Sequence, residues 1–194
     1  PSTVRVGLEK SRNLMTVRIA QNLGLDKITK FSKELGIYDN PDELLSISLG
    51  SAETTLLKLT SAYSAFVNGG KLVEPILIDR IQDSEGNTII NNEKRTCENC
   101  NQISFTTQEY PKVKDNYKQV FSSQTAYQII SLLEGVIQRG NGKKLKDLKL
   151  NLAGKTGTTN ENTDAWFIGF TSNLVIGVYV GMDAPKPLGK FETG

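Results

Sequence analysis

The chain has 194 residues, 38% of them hydrophobic and 23% charged, with a net charge of +2. That is enough apolar content for one cored globular domain, and too little net charge for nucleic acid to be the main partner. It contains no histidine, which removes Ser-His-Asp and Cys-His catalysis and most zinc sites. A nucleophile here has to be activated by lysine, a carboxylate or backbone electrostatics.

Residues 1–10 carry no firm secondary-structure signal. Ser11 or Asn13 is placed to cap a helix in which Met15, Ile19 and Leu23 recur at every fourth position. Asp26 reads as the cap of the next helix, with Ile28, Phe31 and Leu35 as its buried stripe and Gly36 as its end. Asn40-Pro41 marks a turn. From Thr54 to Asn68, Leu56, Leu59, Tyr63, Phe66 and Val67 predict a well-buried helix stopped by Gly69-Gly70. Residues 76–81 and 88–90 flank Ser84-Glu85-Gly86-Asn87 and predict a β-hairpin. Residues 93–118 are polar and aperiodic, an irregular excursion holding one Cys-x-x-Cys, Cys97 and Cys100. Ser122 or Ser123 caps a strong helix with Ala126, Ile129, Ile130, Leu133 and Ile137 on one side, ended by Gly140-Asn141-Gly142. The basic run Lys143-Lys144-Leu145-Lys146 reads as a solvated loop. Three strands follow, at 150–158, 165–171 and 174–181, the last two joined at Asn173 in a tight turn and hence antiparallel. Helices first and an antiparallel sheet last predict an α+β fold, with a helical cluster packed on the sheet.

The apolar run from Leu174 to Met182 is the longest in the chain, well short of the ~20 residues a membrane helix needs. No signal-peptide pattern opens the chain, and proline at position 1 implies that the protein starts elsewhere. Cys97 and Cys100 lack two further ligands of the kind zinc prefers, and they lie in a polar loop rather than at a helix start, so neither a zinc site nor a redox motif is expected. No cofactor and no metal are expected.

The chemistry concentrates in Lys155-Thr156-Gly157-Thr158-Thr159. On a strand, Lys155 and Gly157 share one face, and Thr156 and Thr158 the other. Glycine at 157 lets a ligand lie against the backbone. A lysine beside threonine hydroxyls can hold a carboxylate, and an exposed N–H on such an edge can donate to a developing oxyanion. Taken alone, the triplet also fits a strand entering a polar turn. Ser11-Arg12-Asn13, the only Ser-x-Asn in the chain, also fits a helix N-cap. Asp164 and Trp166 read as strand initiation and a core tryptophan, and Glu161, Asn162 and Thr163 as a polar loop able to edge a site.

Together the two triplets match two of the three elements of the serine penicillin-recognising enzymes, Ser-x-x-Lys, Ser-x-Asn and Lys-Thr-Gly. The chain resembles the C-terminal part of the transpeptidase domain of class A, bifunctional penicillin-binding proteins. The likeness runs through residues 8–18, 53–57 with 66–70, 125–128 with 134–140, 153–160 with 164–170, and 189–194, the last similar to the loop before the family's final helix. It spans nearly the whole of residues 1–194, including the Cys-x-x-Cys excursion.

The resemblance implies the fold shared by penicillin-binding proteins and serine β-lactamases. It also implies peptidoglycan D,D-transpeptidation, in which an acyl-serine intermediate forms on a D-Ala-D-Ala stem peptide and β-lactams trap the enzyme by mimicry. Ser11 would relay a proton toward the leaving nitrogen. Asn13 would hydrogen-bond the substrate amide. Lys155 would put positive charge near the Ser11 hydroxyl and the substrate carboxylate. Thr156, Gly157 and Thr158 would form the carboxylate-binding strand, with the Thr158 N–H as an oxyanion-hole donor. It further implies a location on the periplasmic face of the bacterial inner membrane, an upstream glycosyltransferase, and a local disulfide between Cys97 and Cys100 in that oxidising compartment.

One element departs from the pattern. No serine stands three residues before a lysine, and Thr55-Leu56-Leu57-Lys58 is the nearest imitation. In the family the Ser-x-x-Lys helix and the first sheet strands come earlier in the chain, and the last helix later. The expectation is therefore a partial transpeptidase domain that is inactive alone, depends on the upstream part of the same protein, and either self-associates through exposed strand edges or rearranges its packing. A β-lactamase would want a carboxylate base for deacylation, for which the sequence offers no defensible candidate. A non-catalytic binding module is the third reading.

Overall fold

A computed structural model describes residues 2–93, 95–98, 100 and 111–189. In chain order the elements are α1 (Val4–Glu9), α2 (Asn13–Leu23), α3 (Leu25–Glu34), α4 (Leu56–Val67), β1 (Lys71–Leu72), β2 (Arg80–Gln82), β3 (Thr88–Asn91), β4 (Thr96–Glu98), β5 (Lys112–Lys114), β6 (Lys118–Gln119), α5 (Ser123–Gln138), β7 (Ala153–Thr158), β8 (Asp164–Phe170) and β9 (Val175–Gly181). Short 3-10 turns lie at Leu45–Leu49, Lys143–Leu148 and Asn160–Asn162. The chain forms two compact units, Pro1–Val73 with Gln119–Gly194, and Glu74–Lys118. No helix among the described residues is long and apolar enough to cross a membrane.

In the larger unit β7, β8 and β9 make an antiparallel sheet in that order. Thr171 N donates to Leu174 O at 2.9 Å across the two-residue turn at Ser172-Asn173. Helices α4 and α5 cover one face, because glycine and alanine let them approach. A side chain at Gly177 would collide with Thr60 of α4, and Ala153 is buried against α5. Leu133, Val136, Ala153 and Phe170 form the centre of this core, flanked by Leu8, Tyr63, Val67, Ile129, Ile130 and Val175. A second cluster joins Leu35, Ala62 and Ala65 to Ile37, Leu72, Val120 and Phe121. The opposite face of the sheet is open: Ile176, Val178 and Val180 are each about half exposed.

The helix ends follow local chemistry, not always the expected residue. Thr55 caps α4 by accepting from Lys58 N at 3.2 Å, and of the two serines before α5 it is Ser122 that caps, accepting from Thr125 N at 3.1 Å. The caps expected at Ser11 or Asn13 and at Asp26 are absent. Arg12 precedes α2 and Gly24 precedes α3, neither with a side-chain cap, and Asp26 sits one position inside, in the first turn, where its charge favours the helix dipole. The buried stripe of α3 is also rotated from the expectation: Leu35 is buried with Thr29 and Ser32, while Phe31 is 40% exposed and tilts against Phe121. Thr29 and Ser32 can face inward because their hydroxyls bond back to helix carbonyls, at 3.0 and 2.8 Å. Helix α1, unforeseen, starts at Thr3, whose hydroxyl accepts from Val6 N.

In the smaller unit β2 and β3 form the expected hairpin, shorter on its first side, with a register shift between Ile81 and Gln82. Asp83 builds its turn by accepting from Glu85 N and Asn87 N at 3.0 and 2.8 Å. The segment expected to be irregular carries a paired element, because β4 and β5 run antiparallel with Cys97 opposite Val113. Cys97 is disulfide-bonded to Cys100. The basic run at 143–146 lies in the exposed 3-10 turn Lys143–Leu148.

Candidate active site

Helix α1 ends in a Schellman motif: Ser11 N donates to Leu8 O at 3.1 Å and Arg12 N to Gly7 O at 2.8 Å. The position that needs a left-handed backbone is Ser11, with φ of 49°. Glycine is usual there; a serine carries a steric cost. What the serine gains is a hydroxyl aimed across the molecule. Lys155 Nζ donates to Ser11 Oγ at 2.8 Å, and to its neighbour's carbonyl, Thr156 O, also at 2.8 Å. Ser11 therefore closes α1 rather than opening α2. Asn13 is the first residue of α2, two positions beyond Ser11, with its side chain exposed.

Lys155 is half buried, and desolvation holds its ammonium below the ordinary lysine value. Its strand partner is Ile168, and Gly157 pairs with Trp166, which pairs in turn with Tyr179. These residues share the sheet face that α4 and α5 cover further along, so the helix-covered core opens directly into a cleft. This cleft has a volume of about 680 Å³. One wall is Lys155–Thr159 with Trp166, Ile168 and Tyr179; the other is Tyr38, Leu49–Thr54, Leu56, Leu59 and Tyr63. Tyr63 is partly buried, and desolvation pushes its phenol up to about 12, so it serves as apolar wall. A Cβ at Gly157 would crowd Trp166 Cβ at 3.3 Å; glycine keeps that wall shallow.

The structure brings some of the sequence-predicted residues together and places others elsewhere. Lys155, Thr156, Gly157 and Thr158 all line one cleft, and Ser11 reaches it through Lys155. Trp166 is cleft wall rather than core, packed on Tyr179 with ring centroids 4.8 Å apart. The edge of the site falls at Thr159 and Asp164 rather than at 161–163. Thr159 Oγ1 accepts from Asp164 N at 3.0 Å and meets Thr163 Oγ1 at 2.8 Å. Thr55 and Lys58 are not a nucleophile pair: the hydroxyl is the α4 cap, and Lys58 Nζ holds the Asp39 carboxylate at 2.9 Å. The sequence reading missed Tyr38, Leu49–Thr54 and Tyr179. A signal for the last was present, because a two-residue turn at Ser172-Asn173 sets Tyr179 opposite Trp166.

The family model for the penicillin binding protein transpeptidase domain matches residues 1–194. Penicillin-binding protein 1A of Rickettsia bellii is 45% identical over all of this chain and 25% of its own length. That of Neisseria gonorrhoeae is 35% identical over 99% of the chain and 22% of its own length. The chain thus spans about a quarter of the length of the curated relatives it matches. Among solved structures, penicillin-binding protein 1A of Haemophilus influenzae superposes with a TM-score of 0.83 at 32% identity, covering all of this chain and 32% of that one. Penicillin-binding protein A of M. tuberculosis, in an imipenem acyl-enzyme complex, gives 0.67 at 19% identity over 92% of this chain and 42% of that one, a likeness of fold.

Proposed function

The chain belongs to the penicillin-binding protein transpeptidase family, and from that premise we propose that it supplies half of the active site of a peptidoglycan D,D-transpeptidase. The nucleophilic serine and its lysine belong to a Ser-x-x-Lys helix outside these 194 residues. That serine attacks the carbonyl between the two D-alanines of a stem peptide, D-alanine leaves, and an amine from a neighbouring strand takes the acyl group. Lys155, with Thr156 and Thr158 beside it, holds the terminal carboxylate. Ser11 passes a proton from the nucleophile's side to the leaving nitrogen, and Lys155 keeps its hydroxyl oriented. Asn13 binds the substrate amide. Gly157 leaves room for the peptide along β7, and the N–H groups of Thr158 and of the nucleophile stabilise the tetrahedral oxyanion. β-Lactams enter the same cleft and stay as acyl-enzymes. The full-length protein is membrane-anchored, works on the periplasmic side of the inner membrane and carries a glycosyltransferase upstream. The 194 residues alone are inactive.

The observation that supports this reading is the 2.8 Å contact between Lys155 Nζ and Ser11 Oγ, 144 residues apart in sequence, with Lys155 on the cleft wall. The full-length protein is expected to label with a fluorescent penicillin, and the isolated 194 residues are not. Lys155→Ala in the full-length protein should slow labelling by roughly a hundredfold, as the loss of one transition-state charge contact does. Full-rate labelling of that variant, or labelling of the isolated chain, contradicts the assignment. Fast release of the label would indicate a β-lactamase instead.

A further inference from the structure

Glu9 is almost fully buried, at 4% exposure, yet it is ionisable and lies outside the cleft. A buried carboxylate is costly unless it is paired. Its nearest partner is Arg139 at the C-terminal end of α5, whose guanidinium engages both carboxylate oxygens, while Arg5 Nη1 lies 3.9 Å from Oε1. Arg139 Nη2 donates to Oε1 at 2.5 Å and Nε to Oε2 at 3.3 Å. The main chain is held too, because Asn141 N donates to Glu9 O at 3.2 Å. Two glycines make room for this: a side chain at Gly135 would collide with the Glu9 carboxylate, and one at Gly140 with the Glu9 carbonyl. Arg5 adds a second strap from α1 to α5, donating to Ser131 O at 3.0 Å.

Glu9 stands two residues before Ser11. On the other side of the same helix, Leu133 and Val136 of α5 bury Ala153, which stands two residues before Lys155 on the same sheet face. Both halves of the Ser11–Lys155 contact are thus referenced to α5, one through an ion pair and the other through apolar packing. On the Ser11 side the backbone is left-handed at a serine, a conformation that persists only where the surrounding structure holds it.

We propose that Glu9 and Arg139 are positioning residues: their bidentate pair fixes the Schellman turn so that the Ser11 hydroxyl stays against Lys155. This rests on the transpeptidase reading above. Neither residue touches substrate.

The test is a double-substitution cycle in the full-length protein, with the rate of acylation by fluorescent penicillin as readout. Arg139→Lys keeps the charge and loses the fork. It should slow acylation roughly tenfold, the scale of a small misplacement of a reacting group. In a Ser11→Ala background the same substitution should slow it by less than about twofold, because no hydroxyl remains to be placed. Equal losses in both backgrounds, or no loss in either, overturn the proposal, since a merely structural pair acts regardless of Ser11. Glu9→Gln, which keeps the side-chain shape, should give the same pattern, and a different one counts against the clamp. Amide exchange supplies a readout apart from activity: the Ser11 and Arg12 amides should exchange faster in Arg139→Lys while those of Gly36 and Ile37 do not. Uniform acceleration at all four overturns it. If the unaltered full-length protein fails to label, the transpeptidase reading itself has failed.

Discussion

Gly36 and Ser11 occupy the same position of the same motif. After α3, Gly36 N bonds Lys33 O and Ile37 N bonds Ser32 O, each at 3.0 Å, with φ of 70° at Gly36. After α1, Ser11 takes that place at φ of 49°. Glycine is legible as a stop because it alone enters the left-handed region without cost. A serine there misleads, since serine before an apolar period reads as an N-cap. The residue that breaks the local rule is the one whose hydroxyl meets Lys155, as expected where function sets the residue against local preference. Substituting it separates the two demands. Ser11→Gly and Ser11→Ala both remove the hydroxyl, but only glycine removes the strain. In the full-length protein Ser11→Gly should be more stable than Ser11→Ala by about 1 kcal/mol, roughly 3 °C in thermal midpoint for a domain of this size. Both should lose most of the penicillin acylation rate. An alanine variant as stable as the glycine one would mean that the turn carries no strain.

Elements held by their own pattern were readable, and those held by distant contacts were not. Helices α4 and α5 announce themselves by period and by caps, and β7–β9 by alternation and by the turn at Asn173. Helix α1 has only six residues, too few to stand alone, and it exists because Leu8 enters the α5 core and Glu9 meets Arg139. Likewise the Lys-Thr-Gly wall of the cleft was visible in the sequence, whereas the wall at Tyr38 and Leu49–Thr54 lies on irregular backbone with no period to read. The dependence of α1 on the Glu9 carboxylate, paired with Arg139 and more distantly with Arg5, has a pH signature. The Arg139 guanidinium, by hydrogen bond and charge, holds the Glu9 carboxyl below its ordinary value, against the opposing pull of burial. The folded state therefore favours the ionised form. This contribution is complete above the unfolded carboxyl range, near 4.5, and is lost as pH falls through the lower folded value. Asp83 and Glu98 in the smaller unit are also held low and add to any acid loss. The informative quantity is thus a difference: denaturant unfolding at a series of acidic pH values should show a gap between the unaltered chain and Glu9→Gln that narrows as pH falls below about 4. A constant gap would mean that Glu9 acts by shape alone.

At the scale of the whole molecule, the unbalanced feature is the sheet. One face carries α4 and α5, while the other presents Ile176, Val178 and Val180 at 52, 45 and 53% exposure. Among the described residues β7 and β9 are both edges, each with one partner. Contiguous apolar surface of this kind marks a contact site, and an unpaired edge is a template for another strand. The resemblance to the family carries the expectation that further strands and a final helix meet this surface in the full-length protein. The isolated 194 residues should then self-associate with concentration, by light scattering, and bind a hydrophobic dye. Val178→Glu sits in the middle of the open face, so in the isolated chain it should reduce both signals without lowering secondary-structure content. In the full-length protein, on the expectation that further strands and a helix cover this position, that substitution should instead destabilise by roughly 2 kcal/mol or more, because it would bury an unpaired carboxylate. The opposite signs of the two effects carry the inference. A monodisperse isolated chain with little dye binding, or a full-length variant as stable as its parent, would mean that this face is solvent surface in its own right.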